Sequence, residues 1–307
     1  MSDAAEPASP IALGIDIGGT KIAAGLVNIS TGEVLVRDQI PTGPERGAGH
    51  IFEDTKSLSA RLIAIASARG LGVCGIGLGI CEIVDHQGQI TSHALADWSA
   101  INFHDLIDNI PVNLVSDVRA GALAELRFGA AQGVSHALYV SIGSGISPCL
   151  ILDGKPYPGA NGAALVLATA PTQSTCQNCG ETHSTSLEAI ASGHGIERTY
   201  DPQRRHSARA ILALAQEGDL RARTIVDTAA QLAGQAIGVL SNCTDPELIV
   251  LGGGLGSARG LYLTTLTEAV SRARWSGMTD QVRIEPAAMG AEAGIVGAAT
   301  AFHEALH

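Results

Sequence analysis

Asp16 is followed by Gly18-Gly19-Thr20-Lys21, so a carboxylate at the end of an apolar run leads into a glycine turn and a lysine. Glycines permit φ > 0 and close ligand approach, and successive backbone N–H groups in such a turn attract oxyanions. The chemistry indicated is phosphate binding by Gly18, Gly19, Thr20 and Lys21, with Asp16 meeting an associated divalent cation through water. Only three lysines occur, Lys21, Lys56 and Lys155, so one directly after the turn is suggestive. Gly143-Ser144-Gly145 repeats the turn after another apolar run. Asp117 stands at a strand-to-helix junction, where an Asp is a favoured helix cap and needs no chemistry to explain it.

These groups must be held by strands. Ile11 to Ile17 reads as a buried strand and Lys21 to Val27 as its partner; for the glycines, the plain alternative is an ordinary hairpin. Tyr139 to Ile146 again runs strand, turn, strand, with a following turn at Asp153-Gly154 that parallels Thr31-Gly32. Two such units predict a duplicated α/β chain with a phosphate clamp from each side of a cleft, bridged by one nucleotide. Pro111 to Val115 reads as a strand, and a helix runs from Asp117 to a stop near Gly129. Ile51 to Arg69 and Ile225 to Leu240 are helices whose Ala, Leu and Ile spacing marks packing faces. Glu247 to Leu251 is a short strand, after which Gly253 and Gly254 could let an adenosine lie on backbone. That run alone could also suggest a dinucleotide fold, but no acidic residue ends a second strand about twenty positions on. The expected division is residues 1–117 with 289–307, and residues 118–288.

At 307 residues the chain can bury two cores. No apolar run approaches bilayer length and the first residues precede no apolar signal core, so the expectation is a cytoplasmic protein without membrane contact. The formal charge of −11 argues against nucleic acid as a partner. Cys74, Cys81, Cys149 and Cys243 are scattered and read as small core residues.

Together these residues resemble the ROK family of bacterial sugar kinases, of the actin-like, hexokinase-like ATPase superfamily. Asp16 to Lys21 matches the family's Asp-x-Gly-Gly-Thr-Lys motif, Ser116-Asp117 takes the place of its Asn-Asp, and Gly143-Ser144-Gly145-Ile146 that of its Gly-Thr-Gly-Ile. Gly159-Ala160-Asn161-Gly162 and Pro246 to Gly254 resemble further signatures in the expected order. The resemblance implies two actin-like (ribonuclease H-like) lobes with a central cleft, and a homodimer. It also implies ATP and Mg²⁺, and a small-molecule sugar or cyclitol acceptor whose hydroxyl proton passes to Asp117. Asp16, Gly18, Gly19, Thr20, Lys21, Gly143, Ser144, Gly145, Gly253 and Gly254 would then bind the nucleotide, and Ser116, Asp117, Asn161 and Glu188 the acceptor.

The departures bear on the acceptor. Val166 and Thr169 stand where family members carry a Glu and a His that contact sugar hydroxyls, which predicts an acceptor less polar there or differently oriented, and makes plain glucose less expected. Glu188 survives from that set, although Thr185-x-x-Glu188 also has capping-box spacing. Ser116 can donate one hydrogen bond where an amide donates two. His93, Asp97 and Trp98 align poorly with a family sugar contact and can equally be loop and core residues. Cys176-x-x-Cys179 with His183 offers part of the family's zinc site, His194 being another replacement ligand, against a free thiol pair. Three readings follow: a kinase for a hexose, amino sugar or cyclitol, including a C7-cyclitol kinase of secondary metabolism; a catalytically silent sugar sensor; and a transcription regulator. About ten residues precede the first strand, too few for the regulators' DNA-binding module.

Overall fold

The computed structural model describes residues 10–175, 180–275, 277 and 281–306. In chain order it contains β1 (Ile11–Ile17), β2 (Lys21–Asn28), β3 (Val34–Pro41), α1 (Ala48–Ala68), β4 (Val73–Ile80), β5 (Val112–Ser116) and α2 (Asp117–Phe128). There follow β6 (Ala137–Ile142), β7 (Ile146–Leu152), β8 (Lys155–Pro156), β9 (Pro171–Thr175), β10 (Thr182–Ser186), α3 (Leu187–Ala191), α4 (Gly193–Tyr200) and α5 (Ala208–Glu217). The rest is α6 (Leu220–Thr244), β11 (Leu248–Gly252), α7 (Gly253–Gly256), α8 (Leu261–Ala273), β12 (Arg283–Pro286) and α9 (Ala293–Glu304).

The chain divides into two compact units. The first comprises the residues to Gln132, Pro158–Ala163 and the segment from Ala291; the second comprises Gly133–Tyr157 and Ala164–Gly290. In the first, five strands lie in the order β3-β2-β1-β4-β5, with β1, β4 and β5 parallel and the other pairings antiparallel. The β1 sequence Ile-Ala-Leu-Gly-Ile-Asp-Ile is apolar at nearly every position because both faces of the sheet are covered. Ile51, Leu58 and Leu62 of α1 join one core with Leu13, Ile15 and Ile17. α9 packs on β1 and β4 and against α2. It comes so close that a Cβ on Gly77 of β4 would collide with the Ala298 carbonyl. α2 therefore lies in the first unit, whereas the expected boundary falls at its start.

The second unit repeats the topology: β8-β7-β6-β11-β12, with β6, β11 and β12 parallel and the β6-β7-β8 pairings antiparallel. The duplication expected from the two glycine turns is thus present strand for strand. The Asp153-Gly154 turn has both residues at positive φ, 51° and 69°, which suits the twist of a tight hairpin. α6 lays Val226, Ala230, Ala233 and Ile237 into a core with Leu138, Val140 and Ile249. Among the described residues no helix is long and apolar enough to cross a membrane.

Candidate active site

Asp16 lies one residue from the end of β1, and Asp117 directly follows β5. Both are carried at the carboxyl ends of parallel strands, separated by β4, which pairs Ile80 with Ile17 on one side and Ser116 on the other. Open α/β sheets bind ligands at such ends. Burial pushes the Asp16 carboxyl up to about 6, against the opposing charges of Lys21 and Arg37. Asp117 is pushed up to about 7, first by burial and then by the charge of Asp16, with a smaller push from Glu82. The Val118 N–H, which donates to Asp117 Oδ1 at 2.7 Å, works in the other direction. A carboxylate titrating near neutrality is suited to general base work. Close to Asp16, α9 presents Gly294, where a Cβ would sit 2.5 Å from the Asp16 Cγ.

Asp117 does not occupy the cap position of α2, although its carboxylate takes the Val118 N–H at the helix start. It is the first helical residue of α2; Ser116 occupies the cap position, and its hydroxyl accepts from Arg119 Nε at 3.0 Å rather than from the helix. The first glycine turn is closed by Gly18 N–H donating to the Lys21 carbonyl at 3.0 Å. Fully buried Thr42 braces it, its hydroxyl donating to Gly18 O at 2.6 Å and its N–H to Thr20 O at 3.1 Å. Gly19, Thr20 and Lys21 are exposed.

The loop after β4 holds a residue that sequence reasoning missed. Glu82, buried, accepts the N–H groups of Ala94 at 2.9 Å and Leu95 at 2.7 Å, the Trp98 indole N–H at 3.0 Å, and the Ser92 hydroxyl. Its only signal in sequence is an acid directly after an apolar strand. Arg119 donates to the Val84 carbonyl as well as to Ser116, joining this loop to the head of α2. The His86 Nε2 pairs with Gly159 O at 2.6 Å, and Gly162 lies where a Cβ would collide with Val84 O. The segment bearing exposed Asn161 is thereby brought against the same loop. Trp98 is core, packed 5.5 Å from Phe103, whereas His93 and Asp97 are exposed partners 3.7 Å apart. Burial raises the Cys81 thiol, and the charges of Asp117, Glu82 and Asp16 raise it further.

In the second unit, Gly143 N–H closes its turn on Gly145 O at 2.9 Å. The Gly252 to Gly254 run comes alongside: Gly254 N lies 3.9 Å from a Cβ built on Gly143, and Gly253 adopts φ 76° against Ile142. Sequence thus named two elements that the fold brings together. Glu188 is not half of a Thr185 capping box, because Ser186 caps α3 by accepting from Ala189 N at 3.3 Å. The Glu188 carboxylate instead accepts the Ile146 N–H at 3.0 Å. Val166 and Thr169 are exposed, while Leu165 before them holds φ 60°. Cys176 and Cys179 lie outside the described residues. His183 pairs with Glu181 at 3.6 Å, and among the described residues no group of three or more His, Cys, Asp or Glu could hold a metal.

The model of the ROK family matches residues 12–305. The chain is 27% identical to a glucokinase of Halalkalibacterium halodurans, covering 93% of this chain and 92% of that protein. It is also 27% identical to an N-acetylmannosamine kinase of Vibrio vulnificus, covering 95% and 98%. The structure is similar to that of a ROK family glucokinase from Streptomyces griseus in complex with glucose and AMPPNP, with a TM-score of 0.79, 26% identity, and 94% and 98% of the two chains covered. A family match over nearly the whole chain, on a duplicated actin-like fold with both glycine turns in place, shows that this protein belongs to the ROK family.

Proposed function

We propose that this ATP-dependent carbohydrate kinase transfers the γ-phosphoryl group of ATP to a hydroxyl of a hexose, amino sugar or sugar-like cyclitol other than plain glucose. The observation that carries the reading is Asp117: a carboxylate at the carboxyl end of β5, on the same sheet end that carries Asp16 two strands away. As the acceptor oxygen attacks the γ-phosphorus, Asp117 takes the hydroxyl proton while the bond to the ADP oxygen breaks. Phosphoryl transfer is loose and largely electrostatic, so the remaining residues position and neutralise. Gly18, Gly19, Thr20 and Lys21, and on the other unit Gly143, Ser144, Gly145, Gly253 and Gly254, would hold the nucleotide. Asp16 fits a hydrated divalent cation, being a carboxylate that is partly exposed at the end of a strand. Mg²⁺, when bound, supplies charge neutralisation at the phosphate oxygens.

Ser116, Asn161 and Glu188 would bind the acceptor. The Ser116 oxygen already accepts from Arg119, which leaves its proton to be donated to the acceptor. Exposed Val166 in place of a carboxylate favours an acceptor with an apolar or acylated substituent at that point. A C7-cyclitol of secondary metabolism meets this requirement as an amino sugar does. The reading includes a cytoplasmic homodimer without nucleic-acid or membrane partners, supported by the charge of −11 and the family resemblance; Cys176, Cys179 and His183 remain its candidate zinc ligands. The test is acceptor-dependent ADP formation across glucose, mannose, N-acetylated hexosamines, 3-amino-3-deoxyglucose, inositols and C7-cyclitols. Activity on a modified acceptor that Asp117→Asn loses supports the reading; glucose as the best acceptor overturns its specificity, and ATP binding without turnover favours a silent sensor.

A further inference from the structure

The turn Gly143-Ser144-Gly145 is clamped from one direction. Glu188 Oε2 accepts the Ile146 N–H at 3.0 Å, Gly193 N–H donates to Gly143 O at 2.8 Å, and His194 N–H donates to Ser144 O at 3.3 Å. All three groups come from α3 and the start of α4, and each bonds to a different residue of the turn or its exit. The fit is tight at the carboxylate: a Cβ on Gly145 would collide with Glu188 Oε2, and one on Gly193 would sit 2.8 Å from Gly143 O. Ser192, fully buried, fixes the start of α4 by accepting from Gly195 N at 3.1 Å, so the clamp rests on a capped helix. Among these contacts Glu188 contributes the only charge, and a hydrogen bond to a charged group is worth more than a neutral one.

We infer that Glu188 is a positioning residue for the donor: its carboxylate sets the backbone of the Gly143 to Ile146 turn for phosphate, in addition to meeting the acceptor. The inference rests on the reading that this turn holds nucleotide phosphate. One carboxylate then touches both halves of the reaction. A residue that meets only the acceptor changes the acceptor KM and leaves binding of nucleotide by itself untouched, and this separates the two roles.

The experiment is titration of MgADP and MgAMPPNP into the full-length protein without acceptor, by calorimetry, for the wild type and for Glu188→Ala, Glu188→Gln and Gly145→Ala. Loss of one charge-assisted hydrogen bond corresponds to a nucleotide Kd raised about tenfold in Glu188→Ala. Glu188→Gln keeps an acceptor oxygen and should stay within about threefold of the wild type. Gly145→Ala displaces the carboxylate from the other side and should weaken binding similarly, with the double variant Gly145→Ala/Glu188→Ala little worse than either single one. Unchanged Kd in Glu188→Ala, with the wild type binding normally, overturns the inference whatever Gly145→Ala does, since Gly145 belongs to the turn itself. Failure of the wild type to bind either nucleotide overturns the functional reading instead. Should Glu188→Ala not fold, Glu188→Asp replaces it, because the shorter side chain withdraws the carboxylate from the Ile146 N–H: a raised nucleotide Kd supports the inference and an unchanged one overturns it.

Discussion

Glu82 accepts the indole N–H of Trp98 at 3.0 Å while also holding the backbone of Ala94 and Leu95, so one carboxylate closes the loop between β4 and β5 on itself. Glu82→Ala would leave the buried Trp98 indole N–H unpaired, at a cost of about 1–3 kcal/mol, and hand the part-buried N–H groups of Ala94 and Leu95 to water. The expected outcome is a thermal midpoint lowered by roughly 5 °C or more, with the acceptor KM raised much further than the ATP KM. Steady-state kinetics with each substrate varied, alongside calorimetric unfolding, checks both.

Asp117→Asn should bind MgATP as the wild type does yet lose roughly 10²- to 10⁴-fold in kcat, because the amide cannot take the proton. In the wild type the base must be ionised, so kcat/KM should fall as pH drops through about 7. Glu82→Gln removes one of the charges that raises Asp117 and should move this acid limb to lower pH. A pH–rate profile of the three proteins tests the assignment.

The same group makes the fold pH-sensitive in the opposite direction. Its folded value of about 7 lies above the ordinary 3.8, so the folded form binds the extra proton between these limits, and stability falls as pH rises through that window. The neutral amide of Asp117→Asn carries no such penalty. Without ligands, this variant should therefore melt higher than the wild type at pH 8, by a few degrees, with the difference vanishing near pH 4. Melting scans across pH settle the sign.

Gly77→Ala should be severely destabilising, because its methyl would need the space of the Ala298 carbonyl, and α9 could not stay seated on β4. A loss of about 3 kcal/mol or more is expected from forced separation of packed backbone. Urea unfolding of the purified variant measures it.

Val166→Glu together with Thr169→His should raise kcat/KM for glucose by roughly tenfold or more relative to the preferred acceptor. The readout is the ratio of the two acceptors' kcat/KM values, which a general loss of stability would leave unchanged.

Much of this was legible in sequence, for identifiable reasons. β1, β6 and β11 are continuous apolar runs that end in glycine turns, and a sheet covered on both faces imposes that pattern. Asp117 was found because it stands between such a strand and a periodic helix. The Glu188 capping box failed because Ser186, one residue later, has the same chemistry as Thr185 and the better position. Glu82 was missed since its partners lie 10 to 16 residues away along an irregular loop, where no periodicity connects an acid to its donors. The β9–β10 hairpin of Thr, Gln and Ser carries no apolar alternation, so nothing marked it as strand.

The placement of Asp16 and Asp117 on β1 and after β5, with β4 between them, makes the sheet a ruler. Their strands are two hydrogen-bonded spacings apart, roughly 9.5 Å, a distance fixed by backbone pairing and independent of any side-chain rotamer or loop conformation. Substitutions in the 85–97 or 158–163 segments therefore leave the spacing of the backbones that carry Asp16 and Asp117 unchanged.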